Sequence, residues 1–313
     1  MLDDFRIAKL IFNFLACGDG RLPKYKGSTL RGGFGYVFRD IVCSKEQKDC
    51  GTCESRDNCV YVYLFETPVI QPEDKFSKYS DVPRPYIVDL CGTSKSVFAR
   101  GDPFQFGLVL VGKAIDYLPY FIFCFDELGR RGLGKERLIF DLQGVSGFDF
   151  AKGQWTPIYD PDANLLRDDF PTAIANQLPF NRKDTLTLDF LTPTRIKYRK
   201  KYITDMEFHV MVRNLLRRIT MLMLHHCDSE FDSDVNELIE HAKTVDVLRW
   251  DLRWRDWSRY STRQRVSMEL GGFMGSVTYE GDLEKFMPLI ALGEQIHIGK
   301  NTTFGLGKYK ISK

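Results

Sequence analysis

The chain has 313 residues, with 44 Lys and Arg against 42 Asp and Glu, a formal net charge of +2 at pH 7. That near-balance excludes a polybasic tail protein, and 43% hydrophobic with 27% charged residues exclude a disordered or fibrous chain. A single hydrophobic core stops growing at about 250 to 300 residues, so two domains are expected. The opening stretch MLDDFRIAKLIF carries two acids and no small-residue cleavage site, and no run approaches a membrane span of about 18 to 20 apolar residues. A cytoplasmic protein with no membrane partner is expected.

In chain order, Phe5 to Leu15 reads as a strand that ends in a loop at Gly18-Asp19-Gly20. Ser28 is a candidate N-cap for a helix to about Val42, with apolar residues at Leu30, Phe34, Val37, Phe38 and Ile41. One strand is expected between Tyr61 and Val88. Phe104 to Val111 then reads as a strand, Ala114 to Leu128 as a helix and Arg137 to Val145 as a strand. Asp149 to Arg182 is rich in Pro, Asp and Asn and lacks sustained periodicity, which marks a boundary or insertion. The pattern restarts with a strand over Thr185 to Leu191 and an apolar helix over Met206 to Leu224. It continues with a hairpin of Arg259 to Leu270 and Phe273 to Tyr279, a helix over Leu283 to Leu292 and a last strand over Phe304 to Ile311. Strand, helix, strand, strand, helix, strand is the ferredoxin-like order. The expected fold is therefore α+β, two tandem ferredoxin-like domains. The boundaries are 1–160, with a cysteine-rich insertion at 43–59, a linker or insertion at 161–182, and 183–313.

Charge follows the elements. Arg195 to Arg218 carries net +6 and Arg249 to Arg265 net +4, whereas Ile219 to Leu248 carries net −6. His297 to Lys313 holds four lysines and no acid. A polyanion is drawn to the basic segments and repelled by the acidic one, the alternative being that all four are solvated faces. Arg259, Arg263 and Arg265 alternate on one strand face, as do Lys197, Arg199 and Lys201 if that stretch is extended. Trp250, Trp254 and Trp257, at i, i+4 and i+7, read as a helical core stripe.

Cys43, Cys50, Cys53 and Cys59 fall within seventeen residues, the middle pair as CxxC. That spacing suits a structural zinc site, with iron–sulfur ligation second and four unligated thiols as the alternative. The C-terminal run from Leu292 to Tyr309 lacks the GxxxxGK[ST] order of a nucleotide-binding loop. Gly299, Gly305 and Gly307, with Lys300, Thr302 and Thr303, offer a cradle for a polynucleotide backbone.

The loop Gly299-Lys300-Asn301-Thr302-Thr303-Phe304-Gly305-Leu306-Gly307-Lys308-Tyr309 resembles the glycine-rich loop of the RAMP superfamily of CRISPR-associated proteins. Four further runs resemble the precursor-RNA processing endoribonucleases, the sixth CRISPR-associated family, in its branch with a cysteine-rich N-terminal domain. They are Tyr25 to Gly35, Cys59 to Glu66, Arg259 to Gln264 and Gly271 to Gly275. The resemblance implies a metal-independent ribonuclease that cuts CRISPR repeat RNA through its own 2′-hydroxyl, leaving a 2′,3′-cyclic phosphate and a 5′-hydroxyl. It implies no catalytic cofactor, and precursor CRISPR RNA as partner, together with effector-complex subunits.

Such chemistry asks for a base, an acid and a cation on the phosphorane. Family members often carry a histidine near the first helix, where this chain offers Tyr36. Among the five histidines, His209 and His225 flank the apolar helix and read as structural, and His226 and His241 border the acidic region. His297 is left, beside Gly299 and Lys300. The candidate catalytic set is thus His297, Tyr36, Tyr25, Lys24 and Lys300. The RNA-binding set is Arg31, Lys197, Arg199, Lys201, Arg259, Arg263, Arg265, Gly299, Lys300, Thr302, Thr303, Gly305 and Gly307. Two rivals remain: a non-catalytic RNA-binding subunit of an effector complex, and a zinc-dependent nuclease centred on the cysteines.

Overall fold

The computed structural model describes residues 1–45, 49–67, 82–90, 94–180, 184–261 and 266–312, and over 258–261 and 266–268 the backbone alone. The chain forms two compact units. One comprises Asp4–Ile174 with Met221–Ser229, the other Met1–Asp3, Ala175–Thr220 and Glu230–Lys313.

In the first unit β1 (Arg6–Ala16) alternates, burying Leu10, Phe12, Phe14 and Ala16 while Lys9 and Asn13 take the other face. Helix α1 (Gly27–Val42) buries Leu30, Phe34, Val37 and Phe38, the expected stripe. It starts one residue before Ser28, so that serine lies inside the first turn, and the cap position falls to Lys26, which makes no side-chain cap. Next come β2 (Tyr86–Asp89), β3 (Pro103–Val111), α2 (Leu118–Arg131), β4 (Phe140–Asp149) and β5 (Gln154–Asp160). The sheet runs β2–β3–β1–β4–β5, and its first four strands have the antiparallel ferredoxin-like order. Phe34 stacks on Phe125 and Phe121 at 4.7 and 4.9 Å, and Phe12 packs on Phe106 at 5.1 Å, so rings from helices and sheet form one core. A buried side chain of that size contributes about 1.5 to 3 kcal/mol.

Departures from expectation in this unit have local causes. Arg137 takes a positive φ of 50° in the turn after α2, so β4 begins only at Phe140. Residues Gly112–Tyr117 make a 3-10 turn, and α2 starts at Leu118 with Pro119 in its first turn. Tyr61 to Glu66 is helical, with Tyr61, Leu64 and Phe65 buried, and β2 is the strand formed downstream of it. The segment after Asp149, aperiodic in sequence, is paired: β5 joins β4, and Ala173–Ile174 joins β1.

The second unit repeats the plan with β6 (Thr185–Thr194), a hairpin of β7 (Lys197–Tyr198) and β8 (Lys201–Tyr202), and α3 (Phe208–His226), of which Phe208–Thr220 belongs here. Helix α4 (Val235–Ala242) is capped by Asp234, whose carboxylate accepts from the Asn236 and Glu237 amides at 2.8 and 3.1 Å. Strand β9 (Asp246–Arg255), a hairpin of β10 (Ser258–Ser261) and β11 (Val266–Glu269), β12 (Gly272–Glu280), α5 (Met287–Ile296) and β13 (Tyr309–Ile311) complete it. The sheet order is β9–β12–β6–β13, again ferredoxin-like.

Two expectations are corrected here. The partner of β12 is β9, not the 259–270 segment, which folds as its own hairpin. The tryptophans therefore lie on or just past a strand rather than along a helix, and Trp250 is 54% exposed instead of core. The last strand is only three residues long because Gly305 and Gly307, inside its expected span, hold left-handed φ of 85° and 74°. No described helix is long and apolar enough to cross a membrane.

Candidate nucleic-acid interface

The sheet of the second unit has two unlike faces. Leu186, Leu188, Phe190, Phe273, Val277 and Tyr279 are buried. The alternate positions form a polar face, set by register: Arg249 opposite Thr278, Asp251 opposite Ser276, Arg253 opposite Met274, then Thr187 and Asp189, then Lys310 on β13. Arg249, Arg253 and Arg255 are exposed along the edge strand. Among the described residues no aromatic lies on that face, so it offers charge and hydrogen bonds to a backbone rather than a stacking platform.

Beyond β6 the chain turns into the β7–β8 hairpin. Its two-residue turn is Arg199-Lys200, both at positive φ (48° and 68°), where Asn and Gly are usual. The turn breaks the alternation expected from extended chain. Lys197 faces Tyr202 and Tyr198 faces Lys201, so Lys197 and Lys201 point to opposite sides. One side stacks cations on aromatics: the Arg195 guanidinium lies 4.3 Å and the Lys197 ammonium 4.9 Å from the Tyr202 ring, which itself packs against Trp254 at 6.2 Å. On the other side the Tyr198 hydroxyl lies 3.4 Å from His209 Nε2, and His209 Nδ1 lies 3.2 Å from a Glu207 carboxylate oxygen. The Arg199 guanidinium sits 5.2 Å from the Tyr198 ring. Burial pulls the His209 pKa below the ordinary 6.5; Glu207 opposes this, and Arg213, Lys243 and Arg199 reinforce it. In sequence His209 reads as structural, because nothing there pairs it with a tyrosine eleven residues earlier.

The glycine-rich loop has a different place from the one expected. Gly305 and Gly307 are buried, and their amides donate to the Thr302 and Pro193 carbonyls at 2.8 and 3.2 Å. The Lys300 amide donates to the Arg195 carbonyl at 3.2 Å, and a Cβ on Gly299 would stand 2.6 Å from that same oxygen. Two of the loop's amides, those of Lys300 and Gly307, are thus spent on the chain at the end of β6, where they fix Arg195 at the root of the basic hairpin. Thr302 is buried; the Lys300 side chain is exposed, and Gly299 and Thr303 are half-exposed. His297 is 1% exposed with its ring on the Leu306 carbonyl at 3.2 Å, so the expectation that it reaches a phosphate held by the loop is corrected: its ring is a buried scaffold group. Arg218, also buried, donates two hydrogen bonds to the Ile296 carbonyl just before it, at 2.9 and 3.2 Å.

The remaining candidates belong to the first unit, apart from Arg259, of which only the backbone in β10 is described, and Arg263 and Arg265, which lie outside the described residues. Tyr36 is 67% exposed on α1, and Lys24 is exposed ahead of it. Tyr25 is half-buried, and burial with the Asp89 carboxylate pushes its phenol pKa well up, against proton transfer near neutrality. Arg31 is half-buried with its guanidinium 5.3 Å from the Phe65 ring.

Cys43, Cys50, Cys53 and Cys59 are free and half-buried, with Arg39 Nη2 3.7 Å from Cys50 Sγ. No group of three or more His, Cys, Asp or Glu side chains among the described residues is disposed to hold a metal ion. The donor set suits zinc by chemistry, but the described thiols are not gathered as a four-thiolate site.

Residues 5–170 match the AF_1859_N N-terminal-domain family, and residues 188–309 match the CRISPR-associated endoribonuclease Cas6. The chain belongs to the AF_1859_N family and is a Cas6-like CRISPR-associated protein. It is 24% identical over 300 residues to an uncharacterized protein of Archaeoglobus fulgidus, covering 93% of this chain and 92% of that one. Among solved structures it resembles a Thermus thermophilus Cas6 product complex at 16% identity and TM-score 0.60, over 98% of this chain and 100% of that one. A partial Cas6-RT-Cas1–Cas2 complex is similar at 13% identity and TM-score 0.55, over 98% of this chain and 46% of the other. These likenesses bear out the tandem ferredoxin-like fold of a Cas6-like chain.

Proposed function

We propose that the chain is a CRISPR repeat-specific endoribonuclease that processes precursor CRISPR RNA. In this reading the 2′-hydroxyl attacks the adjacent phosphorus, releasing a 2′,3′-cyclic phosphate and a 5′-hydroxyl without a metal ion. The observation that carries it is the basic hairpin 195–202, stacked on Trp254 and anchored by the glycine-rich loop, within the segment matching Cas6. Arginines along β9 supply further phosphate contacts, and Lys300 stays available at the surface. The acidic helix α4 limits where a polyanion can lie.

A second reading, an RNA-binding subunit of a CRISPR effector complex without catalysis, is favoured by one observation: Tyr36 occupies the α1 position where the resemblance leads one to expect histidine. Incubating the protein with repeat RNA from its own array, in EDTA, separates the readings. A single cut within the repeat supports the enzyme; tight binding without cleavage supports the subunit. Cleavage that appears only on adding zinc would move the chemistry to the cysteines.

A further inference from the structure

We propose that Tyr198, backed by His209 and Glu207, is the proton-transfer relay of the cleavage, which places the acid-base group on the second unit's hairpin rather than on α1 or at His297. The inference rests on the ribonuclease reading above and names the residues that serve it.

Three features converge. Tyr198 is half-exposed beside a turn bearing Arg199 and Lys200, so its hydroxyl stands where a phosphate would be drawn. Behind it, His209 is 9% exposed and engaged at both nitrogens, by the Tyr198 hydroxyl at 3.4 Å and by Glu207 at 3.2 Å. A phenol, an imidazole and a carboxylate in line form an orienting chain of the kind that activates a nucleophile or base, and such contacts are commonly long before substrate binds. Third, Arg199 and Lys200 both hold left-handed backbone, at φ 48° and 68°, a local strain of the sort found at functional sites.

The groups facing His209 are Tyr198, Glu207, Arg199, Arg213 and Lys243. The cations and burial keep the imidazole neutral near pH 7, with Glu207 accepting from Nδ1 and Nε2 free to take a proton. In the step, the 2′-oxygen forms its bond to phosphorus as the phosphorus–5′-oxygen bond breaks. The 2′-hydroxyl proton passes to the Tyr198 oxygen, and the Tyr198 proton passes to His209 Nε2, making an imidazolium paired with Glu207. The departing 5′-oxygen takes a proton from water, and the imidazolium later returns its own to the hydroxide so formed. Arg199, over the Tyr198 ring, and Lys201, cross-strand from Tyr198 on the same side of the hairpin, are placed to hold the charged phosphorane.

The test is single-turnover cleavage of repeat RNA by the full chain and by Tyr198→Phe, which keeps the ring under Arg199 and removes one oxygen. His209→Gln is the second variant, with thermal melting as the folding control. The expected result is a loss of about 100-fold or more in the cleavage rate constant for each, with RNA dissociation constants within about 3-fold of wild type, the level at which a purely structural role would show in binding as well. The wild-type rate falls as pH drops through a pKa below 6.5, and that limb disappears in His209→Gln. Wild-type protein that cleaves while a folded Tyr198→Phe cleaves within about 3-fold overturns the relay and leaves the ribonuclease reading standing. Wild-type protein that binds without cleaving overturns both.

Discussion

Gly307→Ala separates a structural from a phosphate-binding glycine loop. Gly307 sits at φ 74°, and a Cβ there would stand 1.8 Å from the Ile298 carbonyl oxygen, with the Ile298 amide hydrogen-bonded to the Gly307 carbonyl at 2.9 Å. Left-handed backbone costs an alanine about 1 to 2 kcal/mol. Relieving the overlap moves the Ile298–Gly307 and Gly307–Pro193 hydrogen bonds, each contributing about 0.5 to 1.5 kcal/mol. The expected destabilisation is about 2 to 5 kcal/mol. Gly32→Ala is the control: it is exposed within α1 of the first unit with open space at the added Cβ, so it should leave the second unit's transition unchanged while stabilising its own unit by up to about 1 kcal/mol. Urea denaturation followed by tryptophan fluorescence reads the second unit, since Trp250, Trp254 and Trp257 lie there and Trp155 alone lies elsewhere. A Gly307→Ala variant as stable as wild type but weakened in RNA binding would refute the packing role and restore the amide cradle.

Replacing Arg249, Arg253 and Arg255 by alanine together should lower the slope of log affinity against log salt by about 0.7 for each phosphate that is no longer neutralised, measured by fluorescence anisotropy on single-stranded repeat RNA. An unchanged slope would take the RNA off that sheet face. Phe34→Ala, which removes a ring at the centre of the first core, should cost about 3 to 5 kcal/mol and lower the first unit's melting temperature by on the order of 10 °C, read by circular dichroism. Arg218→Ala leaves the Ile296 carbonyl buried without its guanidinium and should cost about 2 kcal/mol in urea denaturation; no change would show that water replaces the side chain.

Periodicity carries most of the fold because each unit buries one face of a sheet against two helices. The 3.6-residue stripe of α1 and the alternation of β1 are direct imprints of that arrangement. It fails where partners are distant or backbone angles decide. Strand β9 alternates Trp and Arg, but its tryptophan spacing also fits a helix, and only pairing with β12 resolves it. The basic run 195–201 is legible as charge, yet its two faces depend on a turn through Arg199 and Lys200 that neither residue advertises. The glycine spacing points to the loop, but not to its tertiary bonds: the Gly307 and Lys300 amides, which look free in sequence, donate to the Pro193 and Arg195 carbonyls. His297 is favoured by its neighbours in the chain, whereas burial, which removes it, comes from tertiary packing.

The most direct test of the central claim, cleavage by the RNA's own 2′-hydroxyl, uses one repeat RNA in two forms, all-ribose and with a single 2′-deoxy substitution at the nucleotide before the cut, both in EDTA. Cleavage of the all-ribose form alone, with a 2′,3′-cyclic phosphate on the upstream product, is the predicted result. Cleavage of both forms, or a requirement for metal, would contradict it.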